Sequence, residues 1–338
     1  MSKQNRCVAI GAALGMLVLI LDGKTALAGA AEGIRLCIAT LVPSLFPFFL
    51  LSILLTAALS GQALNLLRPI AAACKIPIGA ESLFAIGLLG GYPVGAQNIA
   101  LLHHQGMLSD RQSARMLAFC NNAGPAFIFG VLGAIFSDKR VPWLLWLIHI
   151  ASALLVGLLL PGETPVDHVN PLPRKLSIND ALAQSVKTMS LVCGWVVLMR
   201  MVLAFMENWF LWLFPQPVQV IISGILELSN GCLRLTELES EGLRFLIAAG
   251  FLSLGGICVT LQTSSVADGI SMKLYFPGKL LQCSISILLG YFMQPLLPAA
   301  SRCRCTGAAF AATVMIITVL SFLHYSEKSS GNPAIIGV

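Results

Sequence analysis

Charge is scarce in this chain. Only 11% of its 338 residues are Asp, Glu, Lys or Arg, against roughly 25% in soluble domains. The longest polar stretch, residues 161–187, is too short to fold as a domain of its own. A soluble enzyme and a receptor with large soluble domains are both excluded. Signatures of chemistry are missing as well. There is no zinc-ligand spacing, no P-loop and no nucleophile elbow, and no paired carboxylates stand at membrane depth. The sequence therefore predicts no enzyme, no catalytic residues, no bound metal and no cofactor. Basic residues are scattered and carry no interleaved aromatics. The net charge of +6 reads as positive loops beside a bilayer, not as a nucleic-acid surface.

Apolar sequence fills the space that charge leaves. Hydrophobic residues make up 57% of the chain and the mean hydropathy is +0.85. The fold class that follows is an all-α polytopic membrane protein. A spanning helix takes about 20 apolar residues, and by that measure roughly ten segments are expected. They run over residues 7–22, up to 59, 80–104, 110–136, 141–160, 188–213, 216–236, 242–267, 277–297 and 306–324. The first follows Lys3 and Arg6 and precedes Ala26, Leu27 and Ala28, the layout of a signal peptide. In a chain this apolar, an uncleaved first span is the expectation. A short piece from Leu64 to Cys74 is expected along the interface. Two membrane halves, 1–160 and 178–325, flank a Pro-rich polar linker at 161–177, and a flexible tail closes the chain at 326–338.

Several segments are interrupted. The stretch from Leu88 to Gly130 holds two breaks, at 90–96 around Gly90, Gly91, Tyr92 and Pro93, and at 121–125 around Asn121, Asn122, Gly124 and Pro125. A third lies at 254–262 around Gly255 and Gly256. Backbone freed by such breaks is tolerated at membrane depth only where protein buries it or a cavity receives it. Residues 89–97 and 254–262 also match at five of nine positions. Interrupted segments in corresponding places of two halves point to a transporter site. About ten residues on each side of a break cover about 15 Å, half the hydrocarbon thickness. A hairpin to the midplane and two half-helices end to end both fit that length. The two readings give the halves opposite relative orientations.

Two charges fall in the middle of apolar runs, Arg200 and Glu227. Such charges are costly and face a bundle interior or a wet cavity. They are expected either to pair with each other or to serve a solute. In the second case Arg200 meets a carboxylate, and Glu227 serves a proton, a sodium ion or the site. Asn121, Asn122, Gln97, Gln262, Asn230, Thr260 and backbone near Gly91 and Gly256 complete the expected substrate-binding set. Single polar residues of this kind are usually interhelical glue, but here they cluster at the breaks. His103 and His104 read as interfacial caps, and His149 and His324 as hydrogen-bonded structural residues. Cysteines inside apolar runs act as small hydrophobes. Cys303 and Cys305 form a CxC pair with Arg302 before it and Arg304 within it.

The motifs at Pro43–Phe49, Gly90–Ala96 and Cys120–Ala126, followed by Glu227–Gly231 and Leu254–Gln262, resemble in residues and order the YlbJ-type sporulation integral membrane proteins. The resemblance covers about Leu36 to Leu297. It implies a nucleoside-recognition Gate domain, loosely related to concentrative nucleoside transporters and the membrane part of ferrous-iron transporters. It also implies a role in endospore formation, moving dipicolinate across the outer forespore membrane. The expected partners are the lipid bilayer, a small carboxylate solute and a coupling proton or sodium ion, with no nucleic acid. The alternatives are a nucleoside transporter and a non-transporting scaffold of the sporulation envelope.

Overall fold

The computed structural model describes residues 3–59, 65–162, 176–297 and parts of 307–320. The Cys303–Cys305 pair, His324, most of the polar linker and of the tenth segment, and the tail lie outside the described residues. The described elements are helical. Among the described residues, five helical segments are long and apolar enough to cross a bilayer, Gly23–Leu59, Asp110–Ala134, Val141–Leu159, Ile178–Trp209 and Glu241–Val266. This is an all-α membrane fold, and of the ten expected segments the described residues bear out five by that measure.

The first half opens with α1 (Lys3–Leu21), α2 (Gly23–Leu36) and α3 (Val42–Leu59). A π-helical turn at Cys37–Leu41 joins α2 to α3. Pro43 and Pro47 follow it, and neither has an N–H for the carbonyl four residues earlier. The wider turn just ahead absorbs that irregularity without breaking the rod. After the short α4 (Arg68–Ala73) come α5 (Ser82–Gly90) with α6 (Val94–His104), α7 (Asp110–Cys120) with α8 (Pro125–Gly130), and α9 (Val141–Leu159). The second half is α10 (Ile178–Trp209), α11 (Gln216–Leu226) with α12 (Leu228–Arg234), α13 (Glu241–Leu254) with α14 (Gly256–Val266), and α15 (Tyr275–Met293). Polar side chains set the helix starts. Ser109 and Gln112 form a capping box on α7, and Ser177 and Ser240 cap α10 and α13, each satisfying N–H groups a helix start leaves unpaired.

Each half therefore runs in the same order: long rod, broken pair, broken pair, intact helix. Counterparts pack antiparallel. A Cβ at Gly29 would meet Ala204 and one at Gly33 would meet Val197, and the Cys37 thiol donates to the Cys193 carbonyl at 3.8 Å. The α2–α3 rod thus runs down α10, with small residues letting the backbones close. At the centre, Ser152 of α9 and Ser286 of α15 share a 2.8 Å hydrogen bond, and both are twelfth in their helices. Gly157, near the end of α9, abuts Phe119, while Gly278, near the start of α15, abuts Ala118. α9 and α15 thus cross antiparallel at the Ser152–Ser286 contact, as the α2–α3 rod and α10 do along their length. α15 is too polar to meet the apolarity measure for a span, yet it is shielded: Lys279, Gln282, Ser284 and Ser286 are all buried in the bundle.

The two kinds of broken pair differ in geometry. A Cβ at Gly87 of α5 would lie 1.6 Å from the Cys120 oxygen, and one at Gly95 of α6 would lie 2.6 Å from that same atom. A continuous helix would hold residues eight apart at about 12 Å, so α5 and α6 fold back as a hairpin around Cys120. A Cβ at Gly231 of α12 would lie 2.1 Å from the Gly224 Cα of α11, so α11 and α12 form a second hairpin. α7–α8 and α13–α14 instead continue across the bundle as broken spans. This corrects the local sequence repeat. Residues 89–97 form the tip of a hairpin, whereas 254–262 lie at the break of a span. The element order pairs the Gly91 break with Glu227, and the Asn121–Gly124 break with Gly255.

Candidate functional site

Four chain interruptions converge between the α3 and α10 rods. They enclose a cavity of about 40 Å³ lined by Gly91 and Tyr92 of the first hairpin tip, Gly124 of the first broken span, Glu227 and Ser229 of the second hairpin tip, and Val259 and Gln262 of the second broken span. Phe48, Phe49 and Phe127 form its aromatic wall. The volume holds a few waters at most.

Local backbone chemistry makes the tips. Gly91 has φ +77° and a Cβ there would lie 3.0 Å from the Gly124 nitrogen. Only glycine accepts that conformation and that approach. Gly256 has φ +78° and lies against the Gly224 and Ile225 carbonyls, locking the second span onto the second hairpin. Glu227 is the N-cap of α12. Its carboxylate accepts from the Ser229 N–H at 2.9 Å, the Asn230 N–H at 2.7 Å and the Asn230 side-chain amide at 2.7 Å. The helix start at α12 is thus filled by the chain's own carboxylate.

One layer behind the cavity lies a polar cluster. Asn121 Oδ1 accepts from the Ala96 N–H at 3.2 Å, and its amide donates to Thr263 at 2.9 Å. The Asn122 amide donates to the Phe119 carbonyl, and Asn122 Oδ1 accepts from Gln282 at 3.0 Å. Lys279 donates to the Asn121 carbonyl, to Gln282 and to Asn122. His149 accepts from the Ala123 N–H at 3.0 Å and contacts Ser253 through its other nitrogen at 3.2 Å. Ser253, Ser286 and Ser152 continue that chain. Tyr92 donates across to the Leu252 carbonyl at 3.3 Å. The broken spans of both halves are thus joined through α9 and α15.

The expected binding set divides. Gly91, Glu227 and Gln262 share the cavity, with Asn230 directly behind Glu227. Asn121 and Asn122 are in the adjoining cluster. Gln97 lines a separate cavity of about 250 Å³ with Asn98, His104 and Gln184. Its amide donates to Thr188 at 2.9 Å, while its oxygen has no partner among the described residues. Thr260 donates to Gly256 within its own helix. Arg200 stands elsewhere, and the expected Arg200–Glu227 pair is not formed. Arg200 pairs with Glu32 of α2 and with Glu207 at 3.0 Å. Glu207 also pairs with Arg234, which pairs in turn with Glu237. The physical reason is register. Antiparallel packing of α2 on α10 sets Glu32 beside Arg200, and Glu227 is turned to its own helix start.

Lys279, Gln282, Tyr275, Tyr92 and His149 were not among the expected binding residues. A signal existed for the first two. Lys279, Gln282 and Ser286 recur at helical spacing along one face of an apolar run. Lys279 stands two residues after Pro277, where a segment end would place it at the interface. His103 fits its expected capping role, with one nitrogen 3.2 Å from the Leu108 carbonyl and the other 3.5 Å from Asp110. Among the described residues no group of His, Cys, Asp and Glu could hold a metal ion.

Comparison with known proteins places this geometry. No family model matches the chain, and no solved structure matches it. Among curated proteins it is 28% identical to the sporulation integral membrane protein YlbJ of Bacillus subtilis (strain 168), over 71% of this chain and 70% of that protein. The chain is thus similar over most of its length to that sporulation integral membrane protein, in line with the resemblance its motifs carry.

Proposed function

We propose that this protein is a transporter of a small polar ring compound, working by alternating access around the cavity where the four breaks meet. The observation that carries this reading is the convergence itself. Two hairpin tips and two broken spans, one of each from either half of the chain, line a single cavity. Discontinuous segments at repeat interfaces are the architecture in which secondary transporters hold solute. The cavity volume is too small for a solute, so binding requires its lining to move apart.

Aromatic walls with Ser229 and Gln262 at the edge suit a planar ring bearing hydrogen-bonding groups. Dipicolinate, a planar dicarboxylate, is the solute we favour, since the relative is a sporulation protein. Lys279 behind Tyr92 supplies positive charge nearby, and the Glu227 carboxylate is turned to the α12 start. A nucleoside fits the same lining less well, because it has no use for that charge. The test is uptake of labelled dipicolinate into liposomes holding the purified protein, with uridine as competitor. Saturable uptake, unaffected by uridine, is expected. Gln262→Leu, which loses about 1.5 kcal/mol of hydrogen bonding, should raise the half-saturation concentration roughly tenfold. Uptake no greater than in protein-free liposomes for either solute would leave a scaffold of the sporulation envelope as the better reading.

A further inference from the structure

Lys279 is 1% exposed, and no carboxylate among the described residues bonds to it. Burying an ammonium is expensive unless its donors are met. Here all three donors find oxygen: the Asn121 carbonyl, Gln282 Oε1 at 2.8 Å and Asn122 Oδ1 at 3.3 Å. The Tyr92 and Tyr275 rings lie 5.3 and 5.8 Å from the nitrogen, within cation–π range. Amide and carbonyl oxygens around one positive centre are the ligand type of a monovalent cation, and the lysine brings that charge covalently. Titratable groups facing it are Cys120 from α7, Tyr92 from the first hairpin, His149 from α9 and Tyr275 from α15 itself, with Cys283 of α15 beside Tyr92. His149 is held by Ala123 and Ser253.

The α9–α15 crossing shows that packing alone does not demand this charge. In the register set by Ser152 and Ser286, the first-half counterpart of Lys279 is Leu145, which is fully buried in the same fold. The lysine is a one-sided departure, and its bonds go to the break in the first broken span.

We propose that Lys279 is a proton-binding site that controls the Asn121–Gly124 break: the ammonium form clamps the break closed, and loss of the proton releases it. The proton passes from Nζ to water admitted at the break. The neutral amine that remains has two donors and a lone pair. One of its three oxygens then loses its partner and faces that lone pair. Because the clamp lies one layer behind the cavity and touches Tyr92 of the hairpin tip, its release loosens the wall of the site. A coupling role in solute movement rests on the transport reading. Proton control of the break does not.

The experiment is hydrogen exchange of the full-length protein in lipid nanodiscs, read as protection factors for peptides spanning residues 118–127, from weakly acidic to alkaline conditions. In the wild type protection should fall by about tenfold or more on the alkaline side, as local opening becomes easier. Lys279→Met should be poorly protected throughout, and Lys279→Arg, which keeps its charge, should stay protected throughout. Wild-type protection that does not change with pH would overturn the proposal, as would Lys279→Met keeping the wild-type pH response. If Lys279→Arg does not fold, the wild type and Lys279→Met decide the matter. Absence of uptake in the liposome assay, with this exchange pattern intact, would count against the transport reading and leave the clamp standing.

Discussion

At the scale of single residues, charge on the helices is handled in two ways. Arg200, Glu32, Glu207, Arg234 and Glu237 form an alternating row of opposite charges. Each carboxylate has a guanidinium beside it, and the row ties α2, α10 and α12 together. Lys279 has no such neighbour and is met by amide and carbonyl oxygens instead. The consequences of mutation differ accordingly. Arg200→Leu leaves Glu32 and one oxygen of Glu207 without their cation, and because both carboxylates reach the surface the cost is about 1 kcal/mol. The expected result is a lower melting temperature in detergent with an unchanged half-saturation constant for solute. Adding Glu32→Gln should recover part of the loss. A large rise in the half-saturation constant at normal stability would instead return Arg200 to the solute site. Sequence showed that Arg200 sits at depth and therefore needs a partner. It could not name Glu32, because that choice depends on the packing register of two helices more than a hundred residues apart.

At the scale of elements, the breaks were legible and their shapes were not. Gly91, Pro93, Asn121, Gly124, Pro125 and Gly255 all mark places where a helix cannot continue undisturbed. Glu227 was legible only as a charge, since an N-cap carboxylate inside an apolar run resembles a buried ion. Whether a break yields a hairpin or a broken span is decided by what the flanking helices rest on. α5 and α6 close around the Cys120 carbonyl because Gly87 and Gly95 leave room for it. α11 and α12 close because Gly224 and Gly231 touch backbone to backbone. Gly87→Ala would drive a methyl to 1.6 Å from that carbonyl oxygen, and Gly231→Ala would drive one to 2.1 Å from the Gly224 Cα. Neither obstacle is a flexible side chain. Each substitution should cost at least the 1–3 kcal/mol typical of overpacking, read as a lower melting temperature and loss of the monodisperse peak on size exclusion. Gly194→Ala is the control. It lies within α10 with nothing within 4 Å of an added Cβ, and should be neutral or stabilising by up to about 1 kcal/mol. Equal behaviour of all three variants would contradict the hairpin geometry.

At the scale of the whole molecule, the antiparallel packing of the helices sets the directions of entry. The turn after α6, the start of α7, the end of α9 and the start of α10 gather at one end of the bundle. Contacts there include Arg115 with the Leu160 carbonyl and Gly269 beside His103. The end of α10, the end of α12 and the start of α2 gather at the other, through Arg234–Glu207 and Asn208–Asp22. The first hairpin therefore enters from one end and the second from the opposite end. A local sequence match could not reveal this, because it paired a hairpin tip with a broken span; the order of helices and their antiparallel contacts do. The arrangement makes a prediction independent of solute or coupling. In a cysteine-depleted background, Gly106→Cys lies in the turn after α6 and Thr236→Cys in the turn after α12. Both side chains would be reached from water, since Gly106 has open space around it and Thr236 is exposed. A membrane-impermeant maleimide applied to sealed vesicles should label one of the two, and the other only after the vesicles are inverted or opened. Labelling of both from the same side would place the hairpins in parallel, and an alternating-access site built from inverted halves would have to be abandoned with it.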